Sequence, residues 1–126
     1  MEVQVTDGQN RGLGKWGEEF AARLLTRKGY RLVTRNWRCV HGEIDLVAEK
    51  DSCLAFVEVR TRRGESLGSP EESVTDRKRA RLISSAEAYV QSTGWQAAWQ
   101  IDVVAIQLDR RGRLVRVDHY ENAVTG

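Results

Sequence analysis

Several things are scarce in this sequence, and each shortage narrows what the protein can be. Its 126 residues include two cysteines, Cys39 and Cys53, too few for a disulfide framework, so a reduced, cytoplasmic setting is the expectation. Cys39, His41 and Cys53 lack a paired C-x-x-C and a fourth ligand, which argues against zinc. The longest runs of hydrocarbon side chains, 54–57 and 103–106, span four residues each, far short of the roughly 20 a bilayer-crossing helix needs. The first residues, Met-Glu-Val-Gln-Val-Thr-Asp-Gly, show neither a basic start nor an apolar stretch, so no signal peptide is expected. Net charge is scarce too: 20 Lys and Arg against 18 Asp and Glu leave +2, a figure that by itself points to no partner.

Apolar residues are not scarce. Hydrophobic side chains make up 40%, and with 11 glycines added the share is that of ordinary globular proteins, so global disorder is excluded. The length suits one domain, 1–126, able to bury roughly two thirds of its unfolded surface. Residues 1–11, polar and glycine-containing, are expected to be flexible.

Periodicity predicts a helix over 13–28, where Trp16, Phe20, Ala21, Ala22, Leu24 and Leu25 recur at helical spacing and Gly29 supplies the stop. Three strand-like runs follow at 30–37, 43–49 and 54–62. The segment 63–73 is polar, holds the single proline and reads as an exposed loop. A second helix is expected over 76–91, capped by Ser73 or Thr75 and ended by Gly94, with an apolar stripe of Leu82, Ile83, Ala86, Tyr89 and Val90. Strands at 101–108 and 114–120 complete a mixed α/β order.

Carboxylates interrupt the apolar middle strands: Gly42-Glu43-Ile44-Asp45-Leu46-Val47-Ala48 and Leu54-Ala55-Phe56-Val57-Glu58-Val59-Arg60. A charge in such a run is costly unless something compensates it. Simple alternation puts Glu43, Asp45 and Val47 on one face, and Phe56, Glu58 and Arg60 on one face. A hairpin turning at 50–53 sets Asp45 opposite Glu58 and Glu43 opposite Arg60. Facing carboxylates repel, and a divalent cation reverses the sign: Mg²⁺ or Mn²⁺ held by Asp45, Glu58 and the backbone carbonyl of Val59, with Arg60 beside a bound phosphate. The competing explanation is a solvated sheet face or a salt bridge to Arg60. Helix geometry aims Glu18, with Ala21, Ala22 and Leu25, at the sheet, while Glu19 projects with Arg23; favourable charge near a helix N-terminus would also account for Glu18.

The positive charge is clustered. From Phe20 to Gly42 there is no acid, yet Arg23, Arg27, Lys28, Arg31, Arg35 and Arg38 all lie there; Arg77, Lys78, Arg79 and Arg81 open the second helix, with Arg62 and Arg63 leading towards it. Such clusters suit a phosphate backbone, and Lys78 and Arg79 prolong the apolar stripe towards an anion-favouring helix end. Solvated faces are the plain alternative. Trp37, among these arginines, suits either base stacking or core packing.

These residues resemble the YraN-like family, uncharacterised protein family 0102, regarded as nucleases of the PD-(D/E)XK, restriction-endonuclease-like superfamily and distant relatives of archaeal Holliday junction resolvases. The resemblance runs over about 12–106: Gly17-Glu18, Gly29-Tyr30, Arg35-Asn36 with Arg38, the segments around Glu43 to Ala48 and Phe56 to Arg60 with Arg62, Ser73-Val74-Thr75 with Lys78 and Arg81, and Asp102 to Ala105. It implies an αβββαβ core with a mixed sheet flanked by helices, Asp45 and Glu58 as metal ligands, Glu18 as a helix carboxylate and Lys78 on substrate phosphate. Ile44 replaces the superfamily's nominal proline, and Arg60 stands where many nucleases have lysine. Arginine stays protonated and cannot be a general base, but it can stabilise a charged transition state.

The expected function is metal-dependent hydrolysis of DNA phosphodiesters. Asp45, Glu58 and Arg60 would form its centre, with Glu18 towards a second ion and Glu43 as an orienting partner of Arg60. Arg35, Arg38, Arg62, Arg63, Arg77, Lys78, Arg79 and Arg81 would hold the backbone. Branched DNA and a homodimer follow from the resemblance alone, RNA is not excluded as a substrate, and the alternative is a catalytically weak nucleic-acid-binding adaptor.

Overall fold

A computed structural model of the chain describes residues 7–64 and 68–125. Helix α1 (Asp7–Arg27) is followed by β1 (Arg31–Cys39), β2 (Gly42–Lys50) and β3 (Cys53–Arg63); a 3₁₀ turn (Glu71–Ser73) leads into α2 (Asp76–Thr93), then β4 (Trp99–Leu108) and β5 (Leu114–Tyr120). The helix thus begins well before the expected Leu13: 7–11 are helical, whereas 1–6 lie outside the described residues, as do 65–67 of the expected loop. The rest of that loop is shorter than expected, with Arg63 still in β3, Pro70 buried and Glu71–Ser73 in the 3₁₀ turn.

The five strands form one mixed sheet in chain order. Neighbours are antiparallel except β3 and β4, which run parallel because α2 carries the chain back across the sheet. This is the αβββαβ arrangement, with one further strand at its edge.

Local chemistry explains the elements. Thr75 is the N-cap of α2, its Oγ1 accepting from Lys78 N–H at 3.3 Å, and Gly94 closes the helix at φ +71°. The turn between β2 and β3 is two residues, Asp51 and Ser52, both at positive φ, which matches the twist of a tight hairpin. It fixes the register at Lys50↔Cys53 through Leu46↔Val57, as the sequence predicts.

Two apolar layers result. On one face Ala21, Ala22 and Leu25 of α1 pack on Leu46, Ala48, Val57, Val59, Val104 and Ile106. On the other, Leu82, Ala86 and Tyr89 of α2 pack on Ile44, Val47, Phe56, Ile101 and Val103. Trp37 belongs to this second layer, its ring centroid 5.1 Å from Tyr89, so it serves packing. Cys39 and Cys53 lie at opposite ends of β2, paired with or beside Gly42 and Lys50 respectively, and cannot share an ion with His41.

One expectation fails. Ile44 and Leu46 have the same parity but face opposite layers, so alternation breaks at Asp45, and Glu43 does not share a face with Val47.

Candidate metal centre

The ladder between β2 and β3 ends at Leu46↔Val57. The next pair in the same register is Asp45 with Glu58. There the backbone bonding changes: Val59 N–H donates to Asp45 Oδ2 at 2.8 Å. The strands part at the two carboxylates, and a pocket of about 390 Å³ opens, lined by Leu13, Gly14 and Glu18 from α1, Asp45 from β2, and Glu58 to Arg63 from β3.

Asp45 keeps some surface at this pocket yet is surrounded by enough protein that burial is the largest cause pushing its carboxyl up to about 9. Proximity to Glu58 adds to the rise, Glu43 adds a smaller repulsion, and the Val59 N–H opposes both. Such a pair is unfavourable as two anions, and a divalent cation between them would remove the penalty.

Glu18, half-buried, faces this acid pair from α1; burial raises its carboxyl, and the charges of Asp45 and Glu43 act in the same direction. Glu19 points away and pairs with Arg23 and Arg35, the latter at 2.6 Å. The helical reasoning therefore separates the two acids correctly. From α2, Lys78 approaches on the opposite side. Burial holds its ammonium below the ordinary lysine range, neighbouring Arg60 lowers it further, and Glu58 counters.

Arg60 does not pair with Glu43. Its Nε donates to Ser73 Oγ at 2.7 Å, and Ser73 in turn bonds Pro70 O. The 3₁₀ turn that carries Ser73 is clamped by Arg116 on Glu71 at 2.9 Å. Glu43 is held instead by Asn36 Nδ2 at 2.8 Å and Arg38 Nε at 3.4 Å. The reason is that β2 and β3 have separated before reaching that pair.

The expected basic surface divides. Arg62 and Arg63 line the pocket, and Arg62 Nε and Arg63 Nη1 are buried without a partner among the described residues, while Arg63 Nε donates to Arg110 O at 2.8 Å. Arg35 and Arg38 are engaged with Glu19 and Glu43. Arg77 and Arg81 are exposed. Arg79 instead lines a larger cleft of about 990 Å³ with Glu71, Glu72, His119 and Tyr120.

Two features escape the sequence reading. Asn36, in the middle of β1, adopts φ +51° and bonds both Glu18 and Glu43. Asp102, fully buried, meets His119 Nε2 at 2.8 Å and lies with Glu121 close enough for three ligand atoms to fall within 4.8 Å. Asp102 also accepts from Gln100 Nε2 and Asn122 N–H, both at 2.9 Å. With its oxygens so occupied, this cluster fastens β5 and the segment after it to β4. It fits an ion less well than the Asp45–Glu58 pair, where like charges face one another.

Comparison with known proteins agrees with the extent of this core. The model of the uncharacterised protein family UPF0102 matches residues 17–106. A UPF0102 protein of Roseiflexus castenholzii is 48% identical over 119 residues, covering 93% of this chain and 96% of that protein. Another from Pelotomaculum thermopropionicum is 46% identical over 112 residues, covering 88% and 93%, and one from Syntrophomonas wolfei is 54% identical over 84 residues, covering 67% and 73%. The matched span begins one residue before Glu18 and ends within β4, so it contains Glu18, Asp45 and Glu58 of the acidic pocket, and the chain belongs to the uncharacterised protein family UPF0102.

Proposed function

We propose that this protein is a metal-dependent nuclease that hydrolyses DNA phosphodiester bonds. The observation that carries the reading is the pair Asp45 and Glu58, placed in register where β2 and β3 part, with Arg60, Arg62 and Lys78 close by. Asp45, Glu58 and the Val59 carbonyl would hold Mg²⁺ or Mn²⁺, with Glu18 a further carboxylate lining the pocket. The ion would supply a Lewis acid for the phosphodiester and lower the pKa of an attacking water.

The protein's own groups do the rest. Arg60, steered by Ser73, presents a permanent positive charge to the phosphate and cannot act as a base. Lys78 adds a second cation from the opposite helix, and Arg62 and Arg63, which line the pocket, add positive charge for neighbouring phosphates. The scarcity of cysteine, both free, supports a cytoplasmic location; a branched substrate and a homodimer rest on the family resemblance.

The test is purified protein with Mn²⁺ on single-stranded, duplex, flap and four-way DNA, alongside Asp45→Ala and Glu58→Ala. Cleavage by the wild type alone supports the reading; cleavage unchanged in both variants refutes it. The second reading, a nucleic-acid-binding adaptor, is favoured by Arg60, whose Nε is committed to Ser73. It requires salt-sensitive DNA binding and no heat of Mn²⁺ binding by calorimetry.

A further inference from the structure

We propose that Asn36 is a positioning residue of the acidic pocket: from a left-handed turn within β1, its amide ties Glu18 to Glu43 and so holds the Glu18 carboxylate towards Asp45 and Glu58 for a cation. The inference rests on the metal-site reading above and adds to it a residue that does not itself touch the ion.

Three observations converge on Asn36. Its backbone lies at φ +51°, in a region that side chains other than glycine seldom adopt and that asparagine tolerates best. Its Nδ2 donates to Glu18 Oε1 at 2.9 Å and to Glu43 Oε1 at 2.8 Å, so both amide hydrogens are spent on carboxylates from different elements. Finally, it sits between the pairs Arg35↔Leu46 and Trp37↔Ile44, which places it across β2 from Asp45 and in one row with Glu58.

The left-handed turn explains why the strand changes face. Arg35 and Trp37 are two apart and would ordinarily share a face. Here Arg35 reaches Glu19 on α1, whereas Trp37 packs on Tyr89 of α2. Its partner β2 turns over at Asp45 in step, with Leu46 in one layer and Ile44 in the other. The backbone strain is therefore spent at the place where the acids gather, as at other sites where strain accompanies function.

The choice of side chain has a chemical consequence. Glu18, Glu43 and Asp45 repel one another. An arginine or lysine bridging two of them would offset the repulsion but would also compete with a metal ion. A neutral amide holds the carboxylates together and leaves the negative charge of the pocket intact.

The experiment measures Mn²⁺ affinity by calorimetry, with melting curves, for full-length wild type, Asn36→Gly and Asn36→Ala. Glycine keeps the left-handed backbone without strain and removes the amide; alanine removes the amide and adds strain. Both variants are expected to bind Mn²⁺ at least about tenfold more weakly than wild type, the usual effect of losing a group that orients a ligand, while only alanine lowers the melting temperature substantially. If Asn36→Gly binds Mn²⁺ like wild type, the amide orients nothing and the proposal is overturned, with the metal-site reading intact. If weakening follows the melting temperature, so that only alanine is affected, the role is backbone shape and the proposal is likewise overturned. If the wild type binds no Mn²⁺, the metal-site reading fails and takes this inference with it.

Discussion

Val59 donates its backbone N–H to Asp45 Oδ2 at 2.8 Å, so a side-chain carboxylate takes a bond that would otherwise continue the ladder between β2 and β3. That bond holds one oxygen of Asp45 still and opens the sheet beside Glu58. It gives a concrete form to what the residue pattern suggests, namely two acids facing one another in a place designed by neither helix nor strand packing alone.

The Asp45 carboxyl sets a pH dependence whose sign is definite. Burial first, then Glu58, lift it from 3.8 to about 9. Between these values the folded metal-free protein retains a proton that the unfolded chain releases. This contribution to stability is therefore fully present below about pH 4 and is lost as pH rises through about 9. Asp45→Asn carries no such proton. In EDTA at pH 8 it should melt above wild type by at least about 4 °C, corresponding to about 1 kcal/mol for a chain of this size, and the gap should close towards pH 4. Thermal unfolding at a series of pH values measures the difference, and a gap independent of pH would contradict it.

Arg60 and Ser73 should separate in kinetics. On the proposed nuclease reading, Arg60→Ala removes a charge that would stabilise the phosphate and is expected to lower kcat for DNA cleavage about 100-fold. Ser73→Ala leaves the charge but frees it, with a smaller loss in kcat and unchanged DNA affinity. Single-turnover cleavage with a fluorescent duplex distinguishes the two.

Gly17 is required by contact. A Cβ there would overlap Thr61 Oγ1 and come within 3.2 Å of Thr61 Cβ, on the line where α1 crosses β3. Gly17→Ala should destabilise by about 1–3 kcal/mol, as overpacking does, and adding Thr61→Ala should restore much of the loss. Since Thr61 Oγ1 has no partner among the described residues, Thr61→Ala alone should cost little. Chemical denaturation of the three variants checks this.

Asp102 is expected to act as an anchor of β5 and not as an ion ligand. Asp102→Ala leaves His119 Nε2 and two other donors without their acceptor and should cost at least about 1–3 kcal/mol, the range for leaving a buried polar group unsatisfied. Mn²⁺ affinity measured on the variant that still folds in the cold should stay at the wild-type value. A loss of bound Mn²⁺ would place the ion at this cluster.

Much of this was already written in local pattern. The stripe of α2, its Thr75 cap and Gly94 stop, and the two-residue turn at Asp51 and Ser52 depend on neighbours a few positions away, so spacing reveals them. The turn then sets the register, and the register sets Asp45 against Glu58. Glu18 could be told from Glu19 because helical geometry is regular. Other features were invisible because they depend on groups brought together from afar. A left-handed residue inside a strand reverses the alternation of side chains without marking the sequence, so the reversal at Asn36 and Asp45 was hidden. The partners of Glu43 and Arg60 changed because the strands separate before they meet, and Ser73 arrives from a 3₁₀ turn held by Arg116 on the last strand. Short-range periodicity thus specifies which elements form and which acids face, whereas the packing of distant segments selects the donors that hold those acids in place.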